Sequence, residues 1–567
     1  MSTATLGRAR HVRSALAACL VGALLAMPAG AQVDHADDVC APTANPCLVT
    51  KPISVVSGAT LDFGVRELRI AFGGQLDVGS GSVEILCGPL NAQTPGEVAI
   101  KARGPSGTGQ QNGGSLVLRV RGRCSDDPTR PCLEHDDCIA GTCDTSGRLS
   151  LLGRVEAQGD TPGTLFIEAS GDVILGEDID VDSTNADSDG GELDVISHLG
   201  SVFLSGRVEA TAGRNSTGGI VTIRAGGGAT IGGLVDASGG DFDGGELDVT
   251  TGGDLTVSGV VRVDSTNGEG AGGFVGLEAG GTLRVTSTAA ISANGHRSAE
   301  NFGGDGGTYF LTAGHDFFID AGATLDGDGA RPDAAAGTVD ILAGGTVTIA
   351  GDIAMVARGP QGIGGSVTAT ACEVALSAGG SITNVGEGGE NVLTTATALT
   401  IASGAVLSAD AGTGVNLLRY RVATQLPIVL GTVTPTAQIE HSPSLEPCGS
   451  GTTTTLPTTT TTMPRDCGNG SLDPGEECDD GDNLFVRGDS CDADCNRVAC
   501  GDPDHSGVTN ASDALIVLRV AVGLESCALC VCNVDSVGTF TSASDALRVL
   551  NAAVGLPALL TCPTCTD

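Results

Sequence analysis

The chain has 567 residues, with 68 acidic against 29 basic side chains, 88 glycines, 20 cysteines and no tryptophan. So negative a surface repels nucleic acid and anionic membranes and attracts divalent cations, which excludes nucleic-acid binding. Beyond the N-terminal segment no run approaches the roughly 18 apolar residues that a membrane span needs, so no span is expected.

Residues 1–31 read as a secretory signal. Arg8, Arg10 and Arg13 form its basic part, Ala15 to Met27 its apolar run, and Ala29-Gly30-Ala31 its small-residue cleavage site before Gln32. Leu16-Ala17-Ala18-Cys19 also spells a lipoprotein box, but one placed too early in the apolar run. Cleavage removes three arginines and no acid, so 26 bases face 68 acids and the mature net charge is −42. Export makes disulfides the default state of the 19 remaining cysteines. Their odd number leaves one thiol unpaired or shared between chains. Residues 32–49 are expected to be a cap segment, and 50–448 a repetitive body.

In that body one phrase returns about every 28 residues: Gly-Thr-Leu-Phe-Ile from Gly163, Gly-Glu-Leu-Asp-Val from Gly191, Gly-Ile-Val-Thr-Ile from Gly219, and so on to Gly365. Its third and fifth residues are apolar and its second and fourth mostly polar or small, the period of a strand with one buried face. The inward columns are then Leu165, Leu193, Val221, Leu247, Val275, Tyr309, Val339 and Val367, beside Ile167, Val195, Ile223, Val249, Leu277, Leu311, Ile341 and Ala369. A second short strand follows each phrase (Val202 and Leu204, Leu255 and Val257), and then a third (Val208 and Ala210, Val235 and Ala237). Three strands per turn, each turn covered by its neighbours, predict an all-β parallel β-helix of roughly a dozen coils rising about 4.8 Å each. The rival is a β-sandwich; helix is opposed by the glycine, valine and threonine content. The pattern resembles the pectin-lyase-like and filamentous-adhesin-like β-helices, a likeness that implies either a structural or adhesive scaffold or a polysaccharide-acting one.

Two features interrupt the repeat. Cys124, Cys132, Cys138 and Cys143 fall within an insertion over 124–143 too short to hold a core, which predicts a two-disulfide knot, with zinc as the alternative. Outward positions of the third strands stack Asp180, Glu209 and Asp236, followed by Arg262. That column is either a solvated acidic face, damped by cations, or the acids and arginine of a uronate lyase.

Residues 449–466 are a Thr/Pro linker without a fold of its own. Residues 467–498 carry Cys467, Cys478, Cys491 and Cys495 with Gly475, Glu476 and Asp479-Asp480-Gly481. They resemble the myxococcal cysteine-rich repeat, which implies a disulfide-stapled module at the cell surface.

Residues 500–567 contain a duplication. Asp502, Asp504, Ser506, Asn510 and Asp513 stand at positions 1, 3, 5, 9 and 12 of a loop with Gly507 at position 6. Oxygen ligands at that spacing around a tight glycine turn form a cage for a hard cation. The second copy offers Asn533, Asp535 and Asp545, the last one place late, so that Ser544 or Asp545 closes that loop or the loop takes no metal. Leu515, Leu518 and Val522, and Leu547, Leu550 and Val554, follow at helical spacing. The pair resembles a type I dockerin, which implies calcium as the bound ion and a cohesin-like or other surface protein as partner. It also implies docking contacts at the two residues before the final loop Asp, here Ala511 and Ser512, and Ala543 and Ser544. Cys500, Cys527, Cys530, Cys532, Cys562 and Cys565 frame the module as disulfides, with zinc again the alternative.

No catalytic constellation stands out. The histidines are scattered singly and no nucleophile elbow or metal-ligand cluster is present. The sequence therefore describes a secreted or cell-surface structural or adhesive β-solenoid with a calcium-binding docking module, its ligand on the solenoid a polysaccharide or cell-surface molecule. The alternative of a different class is a docked polysaccharide lyase or glycoside hydrolase.

Overall fold

The glycine-led phrases fold as six-residue strands in the computed structural model of the protein, among them Thr164–Ala169, Glu192–Ser197, Ile220–Ala225, Glu246–Thr251, Phe274–Ala279 and Thr308–Ala313. The structure describes residues 32–104, 112–139, 141–296, 304–330, 334–358, 361–410, 412–445, 448, 478, 497–503, 509, 511–521, 527–535, 540–553, 556, 558 and 560–563. Each phrase strand pairs in parallel with the one before and the one after, without slippage: Leu165↔Leu193↔Val221↔Leu247↔Val275↔Tyr309↔Val339↔Val367. The third strands form a separate parallel sheet of 14 strands. Parallel stacking of consecutive coils is a β-solenoid and rules out the sandwich. Both inward columns are 1 % exposed or less throughout, and they belong to one continuous apolar core.

The glycine that opens each phrase has a steric cause. A Cβ on Gly245 would lie 2.1 Å from the carbonyl oxygen of Gly219, the equivalent glycine one coil earlier, and one on Gly273 would lie 2.0 Å from Gly245 O. The stacked backbones leave no room for a side chain at this corner.

Many of the acids also belong to the scaffold. At one corner Asp172, Asp254 and Asp316 accept the backbone N–H groups of Ser201, Thr282 and Thr346. At the next, Asp182, Asp264 and Asp328 accept those of Thr211, Asn294 and Val356. At the third, Asp189, Asp243 and Asp305 accept those of Thr217, Ala271 and Ala335. Each acceptor serves a donor 28–30 residues ahead, one coil on, at 2.6–3.1 Å. Aspartate suits the task because its short side chain reaches the N–H of the next coil at a bend, where no strand partner is available.

Burial of these acids gives the solenoid a pH dependence. Desolvation pushes the carboxyls of Asp182, Asp264 and Asp340 above their ordinary 3.8, and that of Asp326 too, with Asp328 and Asp264 adding repulsion. Desolvation and the neighbouring Asp194 or Asp248 likewise raise Glu192 and Glu278 above 4.5. Such groups bind protons more readily folded than unfolded, so stability is lost as pH rises through their raised values and regained as it falls. His198 acts in the same direction. Desolvation lowers its pKa, but the bond to Glu168 and the charge of Glu134 outweigh that and raise it above 6.5, so its contribution is present below 6.5 and lost as pH rises. Asp127, Asp144 and Asp410 are held low by hydrogen bonds, in Asp144 against an opposing desolvation, and their contributions fade only as pH drops below 3.8. The melting temperature should therefore rise as the buffer is taken from pH 8 to about 6.5, where His198 gains its proton, and rise further as the buried carboxyls protonate towards about pH 4. A calorimetric scan across that series that finds maximal stability at alkaline pH would contradict the assignment.

The N-terminal end is closed. Helix Ala36–Val39 and the Cys40–Cys47 disulfide cover it, and the first coil already begins at strand Cys47–Val49, which pairs with Leu68–Ile70. The insertion is knotted by Cys124–Cys138 and Cys132–Cys143, with Leu199 of the body packed against the cluster. His198 sits beneath it, 3.0 Å from Glu168 of the body and 3.9 Å from Glu134 of the insertion. With all four sulfurs in disulfides, the zinc alternative falls away here. Cys372 pairs with Cys448, and among the described residues the unpaired thiol is Cys87, buried in an inward row beside Val120. Desolvation pushes its pKa up to about 12, so it is an inert core residue.

The chain divides into two compact units between Thr453 and Thr454. The second contains the helices Ala511–Ala521, Leu529–Cys532 and Ala543–Ala553. Its small core is Val498, Ala514, Val517, Val531, Cys532, Val534, Ala546 and Val549. The leucines that stand at helical spacing after the loops do not join it. Leu515 (56 %), Leu518 (41 %), Leu547 (58 %) and Leu550 (41 %) are exposed, and the residues one position away face inward instead. No helix among the described residues is long and apolar enough to cross a membrane.

Candidate functional sites

In the second unit the two halves of the duplication place equivalent polar side chains inside a very small core. Asp502 is 2 % exposed and Asp513 fully buried in the first half; Asn533 and Asp545 are each 1 % exposed in the second. The helices that follow each loop, Ala511–Ala521 and Ala543–Ala553, pack on one another, which holds the two loop ends close to the shared core. Burying carboxylates in so small a module is expensive unless a cation or donors balance them. The companion positions Asp504, Ser506 and Asn510 lie outside the described residues, as do the side chains of Ala511 and Ser512.

The second loop supplies its own balance. Asp545 Oδ2 accepts the backbone N–H (2.9 Å) and the hydroxyl (2.8 Å) of Ser542, and Oδ1 accepts the N–H of Asp535 at 3.2 Å. Oδ2 thus caps the start of the following helix, and Oδ1 ties that helix to the loop at Asp535. Arg548 Nε lies 3.9 Å from Asp535 Oδ2, where the first repeat has Ile516. Of the two residues that compete to close this loop, Asp545 turns inward, while Ser544 and Ala543 are exposed.

Cys500 pairs with Cys562 and Cys527 with Cys532, and Cys530 and Cys478 are disulfide-bonded as well. The oxidised sulfurs do not serve as a zinc site. Cys467, Cys491, Cys495 and Cys565 lie outside the described residues.

On the solenoid the acidic column does form: Asp180, Glu209 and Asp236 are register neighbours, followed by Arg262. Each acid, however, has its own arginine. Arg154 reaches Asp180 at 3.0 Å, Arg207 pairs with Glu209, and Arg262 lies 3.7 Å from Asp236. Earlier coils continue the theme, with Arg103 on Glu156 at 2.8 Å and Lys101 on Asp77 at 2.9 Å. A hollow of about 420 Å³ opens beside Lys101 and Arg103, both cations being engaged by these acids. The face is a ladder of ion pairs. An arginine held charged by a carboxylate is a poor general base, so the arrangement does not favour lyase chemistry.

Sequence reading placed Arg262 in this column but missed Arg154 and Arg207, because one lies on the preceding coil and the other two residues away on the same strand, with no fixed motif. It also missed Arg548, although aligning the two repeats sets that residue opposite Ile516. No family model matches this sequence, and no curated protein or solved structure matches it significantly.

Proposed function

We propose that the protein is an exported, surface-associated β-solenoid of structural or adhesive type, with a C-terminal unit that binds calcium and docks to a partner protein. The observation that carries this reading is the placement of Asp502 and Asp513 inside the small core while equivalent leucines of both helices stay in solvent. Buried carboxylates at the first and last positions of a loop supply a hard-cation site. Leu515, Leu518, Leu547 and Leu550 supply a duplicated apolar contact surface of the kind that marks an interaction site. Export is supported by the disulfides and by the N-terminal signal pattern. The ligands of the first loop would be Asp502, Asp504, Ser506, Asn510 and Asp513. Calcium there would neutralise the buried acids and hold the loop against helix Ala511–Ala521. Ala543 and Ser544, exposed at the head of helix Ala543–Ala553, adjoin the docking surface.

The test is calcium titration of the mature chain by calorimetry. We expect one site per chain, since the second loop has Asp545 one place late and sets Arg548 beside Asp535. With calcium about 100-fold above Kd, the unit should gain roughly 2.7 kcal/mol of stability. Asp502→Ala with Asp504→Ala should abolish both binding and gain, whereas Asp535→Asn should leave the stoichiometry unchanged. A wild-type chain that takes up no calcium, and melts identically in chelator, sinks the reading.

A further inference from the structure

We propose that the C-terminal end of the solenoid is a twofold interface between two copies of this chain. Among the described residues its inward columns run out without a cover. Ile401, Leu407 and Leu418 are buried, and the residues stacked on them in the last coil are Val429, Val433 and Ile439. Val429 is 37 % and Ile439 53 % exposed, in positions that are sealed in every coil from Gly163 to Gly365. Leu426 (64 %), Ile428 (54 %) and Leu430 (67 %) widen the apolar surface. A repeat stack is soluble only when its terminal units are capped, and the opposite end has such a cap in Ala36–Val39 and Cys40–Cys47.

Three features select a second copy in tail-to-tail contact as the occupant. The capped N-terminal end offers no open coil, so head-to-tail stacking lacks a matching face, and self-pairing of the open end closes under twofold symmetry. This end is free of the acidic excess elsewhere: residues 415–445 hold Arg419, Arg421 and one acid, Glu440, within a chain of net charge −39. Arg419 and Glu440 are paired at 3.1 Å. Two copies can therefore approach here without the repulsion that separates them elsewhere. Finally, Pro427 precedes strand Ile428–Val429, Pro435 follows Thr432–Thr434, and Pro443 follows Gln438–His441. Proline lacks the N–H that strand addition needs, so contact is made by side chains and ends at one partner instead of growing into a fibre.

Sedimentation velocity of the full mature chain in chelator, which removes any calcium-dependent association of the second unit, tests this. We expect a reversible dimer at micromolar concentration that persists at high salt. Leu426→Ser with Leu430→Ser, both well exposed, should weaken dimerisation about tenfold or more with unchanged circular dichroism. If that pair perturbs folding, Ile439→Lys provides the same readout. A monomeric wild-type chain overturns the proposal. So does a monomer in which the amides of 426–441 are protected from hydrogen exchange, since the chain's own later residues would then cover the face. A dimer indifferent to these substitutions places the contact elsewhere, and open-ended polymers exclude the twofold arrangement.

Discussion

Ile223→Asp should unfold the central coils. Ile223 is fully buried and stacked between Val195 and Val249 in an unbroken apolar column. The substitution forfeits about 1.5–3 kcal/mol of burial and sets a carboxylate where neither water nor a basic side chain is available, so the total should exceed roughly 4 kcal/mol. Protonation would relieve part of that, so the variant should recover somewhat in acid. The outward neighbour Thr222 sits between Asp194 and Asp248, and Thr222→Asn there should cost less than about 0.5 kcal/mol. Denaturation midpoints and limited proteolysis of the two variants provide the comparison. Equal tolerance at positions 222 and 223 would mean that the register is wrong.

Gly245→Ala should be nearly as damaging, although alanine is a mild change. The new methyl would sit 2.1 Å from Gly219 O and 2.5 Å from Ala237 O, both backbone atoms of the stack. Neither can swing aside as a flexible side chain would, so two coils must separate, at about 3 kcal/mol or more. Gly232 is the control. A Cβ there meets nothing nearer than 3.5 Å, so Gly232→Ala should be neutral, or stabilising by up to about 1 kcal/mol through the unfolded chain. If Gly245→Ala melts with the wild type, the coil spacing at this corner is looser than the structure has it.

The solenoid was legible from sequence because its determinants are local and repeated. A period-two alternation names the buried face, and a return about every 28 residues stacks Leu193, Val221 and Leu247 without any long-range information. The clustering of cysteines at 124–143 also marked a knot that could hold itself. What the sequence could not assign was the partner of each charged group. Asp182 and Asp264 look like surface acids until register brings them to N–H groups one coil ahead, and Asp180 looks like one acid of a solvated or lyase face until Arg154 arrives from the preceding coil. The helical spacing in the second unit showed that an apolar stripe exists without showing which of two adjacent stripes faces inward. Asp513 and Asp545 had to point into the small core, and that rotation turned Ala514, Val517, Ala546 and Val549 inward and left the leucines in water. Strand periodicity is fixed by bonds along the chain, whereas the identity of a buried neighbour is fixed by which coil or helix lies across from it, and that is settled only when the whole stack has closed.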